Sequence, residues 1–233
     1  MAESLPIILA ALVHELTQPL SIAQLAVDHD PPKLALLRHA LRRASRRCDV
    51  FRWLAQVYRG DPAAEQALAP QEVALALALA TRRIPGLTTS VPLGTRVYAA
   101  PAALETVFEN LISNASKHAP DAKLTVQTQV FEQTDRPWPS DASVTLQGRK
   151  LLLTVADDGP GIPSEVRPLL FQPIVRQTPE HERVGVGLWL CRVIVRAHGG
   201  DLWLDDSQRG ASFSSVWPYA PLRDRTSPIG AQA

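Results

Sequence analysis

The amino-acid sequence predicts an α+β protein in which an N-terminal helical hairpin precedes a domain with helices on one face of a sheet. Two long patterns predict the hairpin, because apolar residues recur every three or four positions over 5–27 and 33–58. Helical patterns that alternate with strand-like runs, such as 123–131, predict the layered domain. The chain has 233 residues and is 45% hydrophobic, which is enough to bury a sizeable core.

A proline stop separates the two N-terminal helices. His29-Asp30-Pro31-Pro32 ends the first helix, because a residue before proline avoids the helical region and proline suits the first turn of the next helix. Two helices alone cannot cover their apolar stripes, so we expect a second copy of the chain to complete a four-helix bundle. Residues 1–60 are therefore predicted to be a homodimerisation domain.

The remainder of the chain predicts a mixed set of elements within a domain over 61–220. A helix over 71–83 is expected to carry Pro70 at its start, and further helices are predicted over 102–118 and 187–198. The predicted strands are 96–98, 123–131, 144–146, 150–156, 202–204 and 211–217. Segment 132–141, which has two prolines flanking a tryptophan, is expected to project as a loop.

Bulk properties exclude several classes of protein. The net charge is +1, so no overall field attracts nucleic acid or an anionic membrane. The apolar run 5–13 is too short to span a bilayer and lacks the features of a signal peptide, so no membrane insertion is expected. Cys48 and Cys191 lack metal-ligand spacing and are expected to be free, packed thiols of a cytoplasmic protein. The proline-containing segment 221–233 is expected to be a disordered tail.

Three polar side chains share one face of a predicted helix. Asn110, Asn114 and Lys117 lie at i, i+4 and i+7, so they can present amide oxygens and an ammonium group to one ligand. Two glycine-rich segments follow, Asp157-Asp158-Gly159-Pro160-Gly161-Ile162 and Gly185-Val186-Gly187-Leu188. Glycine is needed where the backbone closely approaches a nucleotide. The order of the three segments predicts an ATP site.

A candidate phosphate acceptor lies near the start of the chain, in His14-Glu15-Leu16-Thr17-Gln18-Pro19-Leu20. A lone histidine on an apolar helix is more often structural, and only the downstream motifs favour a catalytic role for His14. His39 and His198 have no comparable setting and are expected to be surface or helix-end residues.

These motifs resemble the catalytic core of two-component sensor histidine kinases, whose nucleotide domain belongs to the superfamily of gyrase, Hsp90 and MutL. Segment 14–20 is similar to the phospho-acceptor box, 110–118 to the N box and 170–173 to the F box. Segments 157–162 and 185–188 are similar to the two glycine boxes. The resemblance implies that the second domain is an α/β sandwich of the GHKL (Bergerat) ATPase type.

The resemblance also implies roles for individual residues. His14 is the expected nucleophile, Glu15 orients its ring or takes its proton, and Gln18 aligns water in a phosphatase reaction. Asn114 is the expected Mg²⁺ ligand. The residues expected to bind ATP are Asn110, Asn114, Lys117, Asp157, Gly159, Gly161, Ile162, Gly185, Gly187 and Leu188. The segment 163–184 is expected to be a mobile lid.

The implied activity is an ATP-dependent histidine autokinase that passes its phosphoryl group to an aspartate on a response-regulator receiver domain. Since thirteen residues precede His14, the signal is expected to come either from a further part of a longer protein or from a separate sensor or input protein. The main alternative is a degenerate kinase that acts as a dimeric docking module with weak or no ATP turnover. An ATPase of the same superfamily and a serine kinase are further alternatives.

Some residues depart from the family pattern or have two interpretations. Hydrolases of the superfamily carry a water-activating glutamate at the position of Asn110, and Glu109 points about 100° away around the helix, which favours transfer over hydrolysis. Ile174-Val175 and Ala211 also depart from the family pattern. A basic face is either solvated surface or a contact with an acidic partner; it comprises Arg38, Arg42, Arg43, Arg46 and Arg47.

Overall fold

A computed structural model describes residues 4–29, 31–81, 86–132, 138–178, 181–206 and 209–221. For 4–11, 14, 174–178 and 181–185 it describes the backbone alone. The helices are α1 (Ser4–Asp28), α2 (Leu34–Tyr58), α3 (Ala63–Gln66), α4 (Val73–Ala80), α5 (Ala103–His118) and α6 (Gly187–Ala197). The strands are β1 (Ala69–Glu72), β2 (Leu87–Ser90), β3 (Arg96–Ala99), β4 (Leu124–Phe131), β5 (Lys150–Asp157), β6 (Ile174–Thr178), β7 (His181–Gly185), β8 (Leu202–Leu204) and β9 (Ser212–Pro218).

The first two helices form the predicted hairpin. Alanines line their mutual contact, so the two helices approach closely where Ala23 and Ala26 of α1 and Ala40 of α2 are buried. The C-terminal half of α2 is part of the main core of the protein, through Val50 and Trp53 among others. The hairpin therefore packs directly on the layered domain instead of projecting from it.

The main sheet has five strands in the order β2-β4-β5-β9-β8. β2 runs parallel to β4, and every other neighbouring pair is antiparallel. Alternate residues of β4 and β5, such as Leu124, Val126, Leu153 and Val155, face a core that α4, α5 and α6 help to form. This helix-on-sheet arrangement is the predicted α+β class.

A loop covers the opposite face of the sheet, contrary to two predictions. The residues 144–146 form no strand, and Trp138 is buried instead of projecting. Trp138 packs with Trp203 and Val216 in a second apolar cluster. The apolar run of β5 places side chains on both faces of the sheet, and a strand buried on both faces needs a cover on each side. Residues 133–137 of the predicted loop lie outside the described residues.

Two further segments differ from prediction. The predicted helix 71–83 divides into strand β1 and helix α4, and 82–85 lie outside the described residues. β1 exists because it pairs antiparallel with β3, with Pro70 opposite Tyr98, and this long-range pairing overrides the local helical pattern. The predicted lid contains a 3₁₀ turn (Arg167–Leu169) and the hairpin β6–β7, apart from 179–180, which lie outside the described residues. Residues 222–233 of the predicted tail 221–233 also lie outside them.

None of the helices in the described ranges combines the length and the apolar content that a bilayer crossing requires.

Candidate functional site

Asp157 ends β5, and its carboxylate is held by backbone amides from two turns. Oδ1 accepts hydrogen bonds from the N–H of Gly159 at 3.0 Å and from the N–H of Ala211 at 3.2 Å. The N–H of Asp157 in turn donates to the carbonyl of Ala211 at 2.8 Å. Within the described ranges no hydrogen bond reaches Oδ2, so this oxygen is able to accept one from a ligand.

Gly159 and Gly210 pack so closely on Asp157 that side chains would not fit, and Gly161 packs in turn on the carbonyl oxygen of Gly210. A Cβ on Gly210 would lie 1.7 Å from the carbonyl oxygen of Asp157, and one on Gly159 would lie 2.9 Å from its Oδ1. Gly161 and Gly210 have φ of +80° and +72°, a region that strains other residues. Ile162, the predicted apolar wall, is half-buried against the main core. The first glycine box therefore forms a compact cradle of backbone and carboxylate.

Helix α5 brings the predicted motifs together. At its C-terminal end, a Cβ on Gly159 would lie 2.5 Å from Cβ of Ala119, so the first glycine box packs on the end of α5. Nearer its middle, a Cβ on Gly187 would lie 3.5 Å from Oδ1 of Asn110, so the second glycine box starts α6 beside the N box. The three motifs thus border one region along α5.

The N-box side chains differ in their surroundings. Asn110 is buried, Asn114 is half-buried and Lys117 is exposed. Among the described residues the amide of Asn114 has no hydrogen-bond partner, so its oxygen is available to a ligand. The buried thiol of Cys191 packs beside Asn110, and burial raises the pKa of this thiol to about 12, so it is a neutral, packed group as expected. Cys48, in contrast, is exposed.

The second glycine box contributes mainly backbone. Gly185 ends β7, and Gly187 begins α6, whose first amides point out of the helix without partners within it. Leu188 is half-buried against the main core. A helix N-terminus of this kind is suited to bind a phosphate group.

A buried arginine of the hairpin reaches the N box. Arg47, which is 1% exposed, lies with Nη1 2.6 Å from Oε2 of Glu15 and Nη2 3.6 Å from Oε2 of Glu109. Nη2 also donates to Oδ1 of Asn110 at 3.3 Å. The contact with Glu15 is a close charge contact without hydrogen-bond alignment, since Nη1 has no aligned acceptor among the described residues. Arg47 thereby joins α1, α2 and α5.

The neighbouring arginines strengthen this contact between α2 and α5. Arg46 pairs with Glu105 at 3.4 Å and with Glu109 at 2.5 Å, and Arg43 pairs with Glu109 at 3.2 Å. The acidic partner considered for the basic face is therefore, for these arginines, helix α5 of the same chain. Because Glu109 is engaged by arginines, it is not free to replace the water-activating glutamate of the hydrolases.

The predicted acceptor motif lies in α1. The backbone of His14 is helical, and its side chain lies outside the described residues. Glu15 carries a side chain that is only 9% exposed and pairs with Arg47, whereas Gln18 is exposed. The Glu15–Arg47–Asn110 contacts thus link the turn that contains His14 to the N-box helix through Arg47 of α2.

Phe171 of the F box packs on Arg192, which is held in place by Asp201. The guanidinium of Arg192 lies 4.9 Å from the ring centre of Phe171, which also meets Phe213 edge to face. Arg192 and Arg196 both bond to the fully buried Asp201 at 2.8 to 3.1 Å. Burial opposes ionisation of Asp201, but these arginines and the N–H groups that bond to it hold the pKa of its carboxyl well below its usual range.

His198 ends helix α6, which is one of its two expected settings, and it is buried there. Nε2 accepts a hydrogen bond from the N–H of Ala100 at 3.0 Å, and Nδ1 lies 2.7 Å from the carbonyl of Ile194. This pattern requires the neutral ring with its proton on Nδ1. Burial lowers the pKa of His198 to about 4. The ring is structural and joins α6 to α2 through Trp53.

The family model for histidine kinase-, DNA gyrase B- and HSP90-like ATPases matches residues 99–221, which is more than half of the chain. The chain belongs to this family. All the segments that form the Asp157 cradle and the N box lie within the match, so the family assignment and the site geometry agree. The resemblance to a sensor histidine kinase catalytic core is confirmed.

Named relatives of this GHKL chain are sensor kinases. The adaptive-response sensory kinase SasA of a Nostoc species is 29% identical over 92% of this chain and 57% of its own length. The sensor protein RstB of Escherichia coli is 36% identical over 49% of this chain and 24% of its own length. The chain thus spans little more than half the length of the first of these relatives.

A solved structure supports the fold. Full-length ShkA in complex with AMPPNP matches 92% of this chain and 46% of its own length, with a TM-score of 0.53 and 22% identity. At this identity the likeness extends to the fold alone. It includes both the hairpin and the GHKL domain, because the aligned part covers nearly all of the present chain.

Sequence reasoning missed Arg47, Asp201 and Gly210 as residues of the site and its support. Arg47 was noted only as one member of a basic face. The sequence contains an indication of this contact. Two helices carry faces of opposite charge, one with arginines at 43, 46 and 47 and the other with glutamates at 105 and 109. Asp201 follows two glycines without a motif of its own, and only the fold shows its two arginine partners.

Proposed function

We propose that this protein is an ATP-dependent histidine kinase that phosphorylates His14 and passes the phosphoryl group to an aspartate of a response-regulator receiver domain. Its GHKL domain and its similarity to sensor kinases support this activity. Gln18, exposed one turn after His14, is proposed to serve a phosphatase reaction on the same regulator.

The residues around the cradle fit an adenine nucleotide. Asp157 has an oxygen free of partners in the described ranges, suited to the exocyclic amine of adenine, and Gly159 and Gly161 let the backbone pack closely around this carboxylate. Lys117 is exposed and able to contact a phosphate oxygen. The N-terminus of α6 at Gly187 provides unpaired amides for the phosphates.

The donor set also fits Mg²⁺ held chiefly by the nucleotide. Within the described ranges no group of three or more His, Cys, Asp or Glu side chains is arranged for a metal. The amide oxygens of Asn114 and Asn110 are suitable ligands, since Mg²⁺ prefers oxygen and usually binds one or two protein groups together with phosphates. Bound there, Mg²⁺ would neutralise phosphate charge during transfer.

In the proposed reaction, a neutral ring nitrogen of His14 attacks the γ-phosphorus of ATP. The new N–P bond forms as the bond to the leaving oxygen of ADP breaks. Glu15, as the adjacent carboxylate, takes the proton from the ring. Asn110 occupies the position of the hydrolytic glutamate, so the site lacks a base there to activate water, and transfer to a side chain is favoured.

A single observation carries the proposal. Arg47 of α2 lies 2.6 Å from Glu15 and 3.3 Å from Asn110, so one side chain bridges the helix of the acceptor motif and the N-box helix. Phosphoryl transfer depends on positioning more than on covalent participation of the enzyme. A residue that bridges the acceptor helix and the nucleotide site supports such positioning.

Exposed apolar residues support the proposed homodimer. On α1, Val13, Leu20 and Val27 recur every seven residues, and on α2, Leu34 and Leu41 have the same spacing. All five are between 48% and 63% exposed. Apolar residues at heptad spacing form a stripe that pairs with another helix, and a second copy of the hairpin would bury this stripe in a four-helix bundle.

Radiolabelled ATP tests the proposed function. We expect the purified wild-type protein to incorporate acid-labile, alkali-stable phosphate, and His14→Gln to abolish this labelling while nucleotide binding is retained. Asn114→Ala should lose Mg²⁺-dependent nucleotide binding, whereas the control His39→Gln should keep both properties. Labelling that persists in His14→Gln would refute the acceptor assignment, and nucleotide binding without any labelling would favour the docking-module alternative.

A further inference from the structure

Arg47 links the acceptor helix to the nucleotide site through contacts on three helices. It is 1% exposed, and its guanidinium contacts Glu15 of α1 and both Glu109 and Asn110 of α5. A guanidinium so deeply buried needs these partners, because an unpaired buried charge is strongly unfavourable. The arginine is therefore fixed between the two modules, not loosely placed at their boundary.

The contact between Arg47 and Asn110 engages the amide oxygen that is proposed above as a ligand of Mg²⁺. Nη2 of Arg47 donates to Oδ1 of Asn110 at 3.3 Å, while Nδ2 of Asn110 is buried without a hydrogen-bond partner among the described residues. A magnesium ion on the same oxygen would lie next to the guanidinium, and two cations at such a distance repel each other strongly in a buried site. The amide is thus only half satisfied in the present arrangement.

We propose that Arg47 is a positioning residue that occupies Asn110 until the magnesium-bound nucleotide displaces it, and that this displacement also releases Glu15. The guanidinium is planar and rigid, so a movement that withdraws Nη2 from Asn110 also moves Nη1, which lies 2.6 Å from Glu15. Arrival of the nucleotide at one helix thereby frees the carboxylate beside His14 on another. The inference rests on the proposed function.

Neighbouring ion pairs allow this exchange without separation of the modules. Arg43 and Arg46 pair with Glu105 and Glu109, and among the described residues neither contacts Asn110. These ion pairs hold α2 on α5 through Glu105 and Glu109. Arg46 therefore provides a control that weakens the interface and leaves the Asn110 contact in place.

Calorimetric titration with AMPPNP tests the proposal. In Mg²⁺, Arg47→Met should bind AMPPNP about tenfold more tightly than wild type, since the competitor for Asn110 is gone. In EDTA the two proteins should differ less than twofold. Arg46→Met should gain less than threefold in Mg²⁺, and Arg52→Met, which alters only an exposed pair with Asp49, should match wild type.

Unchanged or weaker binding by folded Arg47→Met would overturn the inference, as would an equal gain in Arg46→Met. If Arg47→Met does not fold, amide hydrogen exchange of the wild-type protein decides instead. Mg·AMPPNP should accelerate exchange in α2 around 43–50 while it protects α5, and added protection of α2 would overturn the inference. If the wild-type protein binds no Mg·AMPPNP, the proposed function is refuted as well. If the wild-type protein binds it and folded Arg47→Met binds no more tightly, the inference about Arg47 alone is refuted.

Discussion

The imidazole of His198 stacks on the indole of Trp53, with ring centroids 4.3 Å apart and planes inclined by 28°. Trp53 belongs to α2 and His198 ends α6, so the stack ties the hairpin to the GHKL domain. Nε1 of Trp53 also donates to the carbonyl of Ala64 at 3.0 Å, which fixes the indole from its other side. The attachment of the hairpin thus depends on a titratable ring.

We predict that the protein loses stability as the pH falls from about 6.5 toward 4. The pKa of His198 is lowered to about 4 in the folded protein, while the unfolded chain binds this proton at about 6.5. The unfolded state therefore binds more protons in this interval, and the contribution of the neutral ring is complete only above it. The loss amounts to roughly 3 kcal/mol, measurable by urea unfolding at several pH values.

His198→Gln should flatten this part of the pH profile, because glutamine does not titrate. It should also lower stability at pH 7.5, where the neutral imidazole makes both of its hydrogen bonds and stacks on Trp53. Arg52→Met, which changes an exposed residue paired with Asp49, is the control and should keep the slope of the wild-type profile. An unchanged slope in His198→Gln would show that another group causes the acid sensitivity.

We predict that Gly210→Ala destabilises the protein by more than about 2 kcal/mol and abolishes nucleotide binding. The new Cβ would lie 1.7 Å from the carbonyl oxygen of Asp157 and 2.7 Å from its carbonyl carbon. Backbone atoms cannot yield as a flexible side chain can, so the strand end that carries the proposed adenine contact must shift. Chemical unfolding and titration with AMPPNP measure the two effects.

Gly148→Ala separates steric clash from backbone strain. Gly148 has the same φ of +72°, but a Cβ there would meet no atom within 4 Å. Its substitution should cost only about 1 kcal/mol, the strain of a left-handed residue, and leave nucleotide binding intact. Equal effects of the two substitutions would mean that the close packing at Asp157 does not shape the site.

We predict that Leu41→Glu converts the proposed homodimer to a monomer. Leu41 is 49% exposed in the single chain and belongs to the heptad stripe, so a second hairpin would bury the new carboxylate in an apolar interface. Light scattering after size-exclusion chromatography measures the mass. Leu93→Glu, at an exposed position outside the hairpin, is the control and should remain dimeric. A dimer in Leu41→Glu would place the interface elsewhere.

Local patterns in the sequence predicted the elements that depend on local periodicity. The apolar spacing of α1, α2, α5 and α6 and the alternation of β4 gave these elements to within a residue or two. Strand β1 was missed because it exists through its pairing with β3, more than twenty residues away along the chain. The cover formed by Trp138 was missed because prolines flank this residue and its partners lie on β8 and β9.

The same distinction applies to the candidate site. Asp157 and the N-box residues lie in short motifs whose spacing is informative without a structure. Arg47 contacts Asn110 across 63 positions of sequence, and its burial follows from how α2 packs on α5. A charged residue in a helical pattern does not show whether solvent or a second helix contacts its side chain. The contact between Arg47 and Glu15 could therefore be identified only from the folded structure.

The loop that seals the outer face of the sheet limits how other molecules approach the GHKL domain. Lys150 lies over the ring of Trp138, and Asp201 anchors the loop by accepting a hydrogen bond from the N–H of Ser143 at 2.9 Å. A protein that approaches this face of the sheet contacts the backbone and polar side chains of the loop, and the loop covers the strands beneath. A peptide tag inserted between residues 138 and 149 would disrupt this loop and expose Trp203 to solvent. Insertions should therefore be made at other sites.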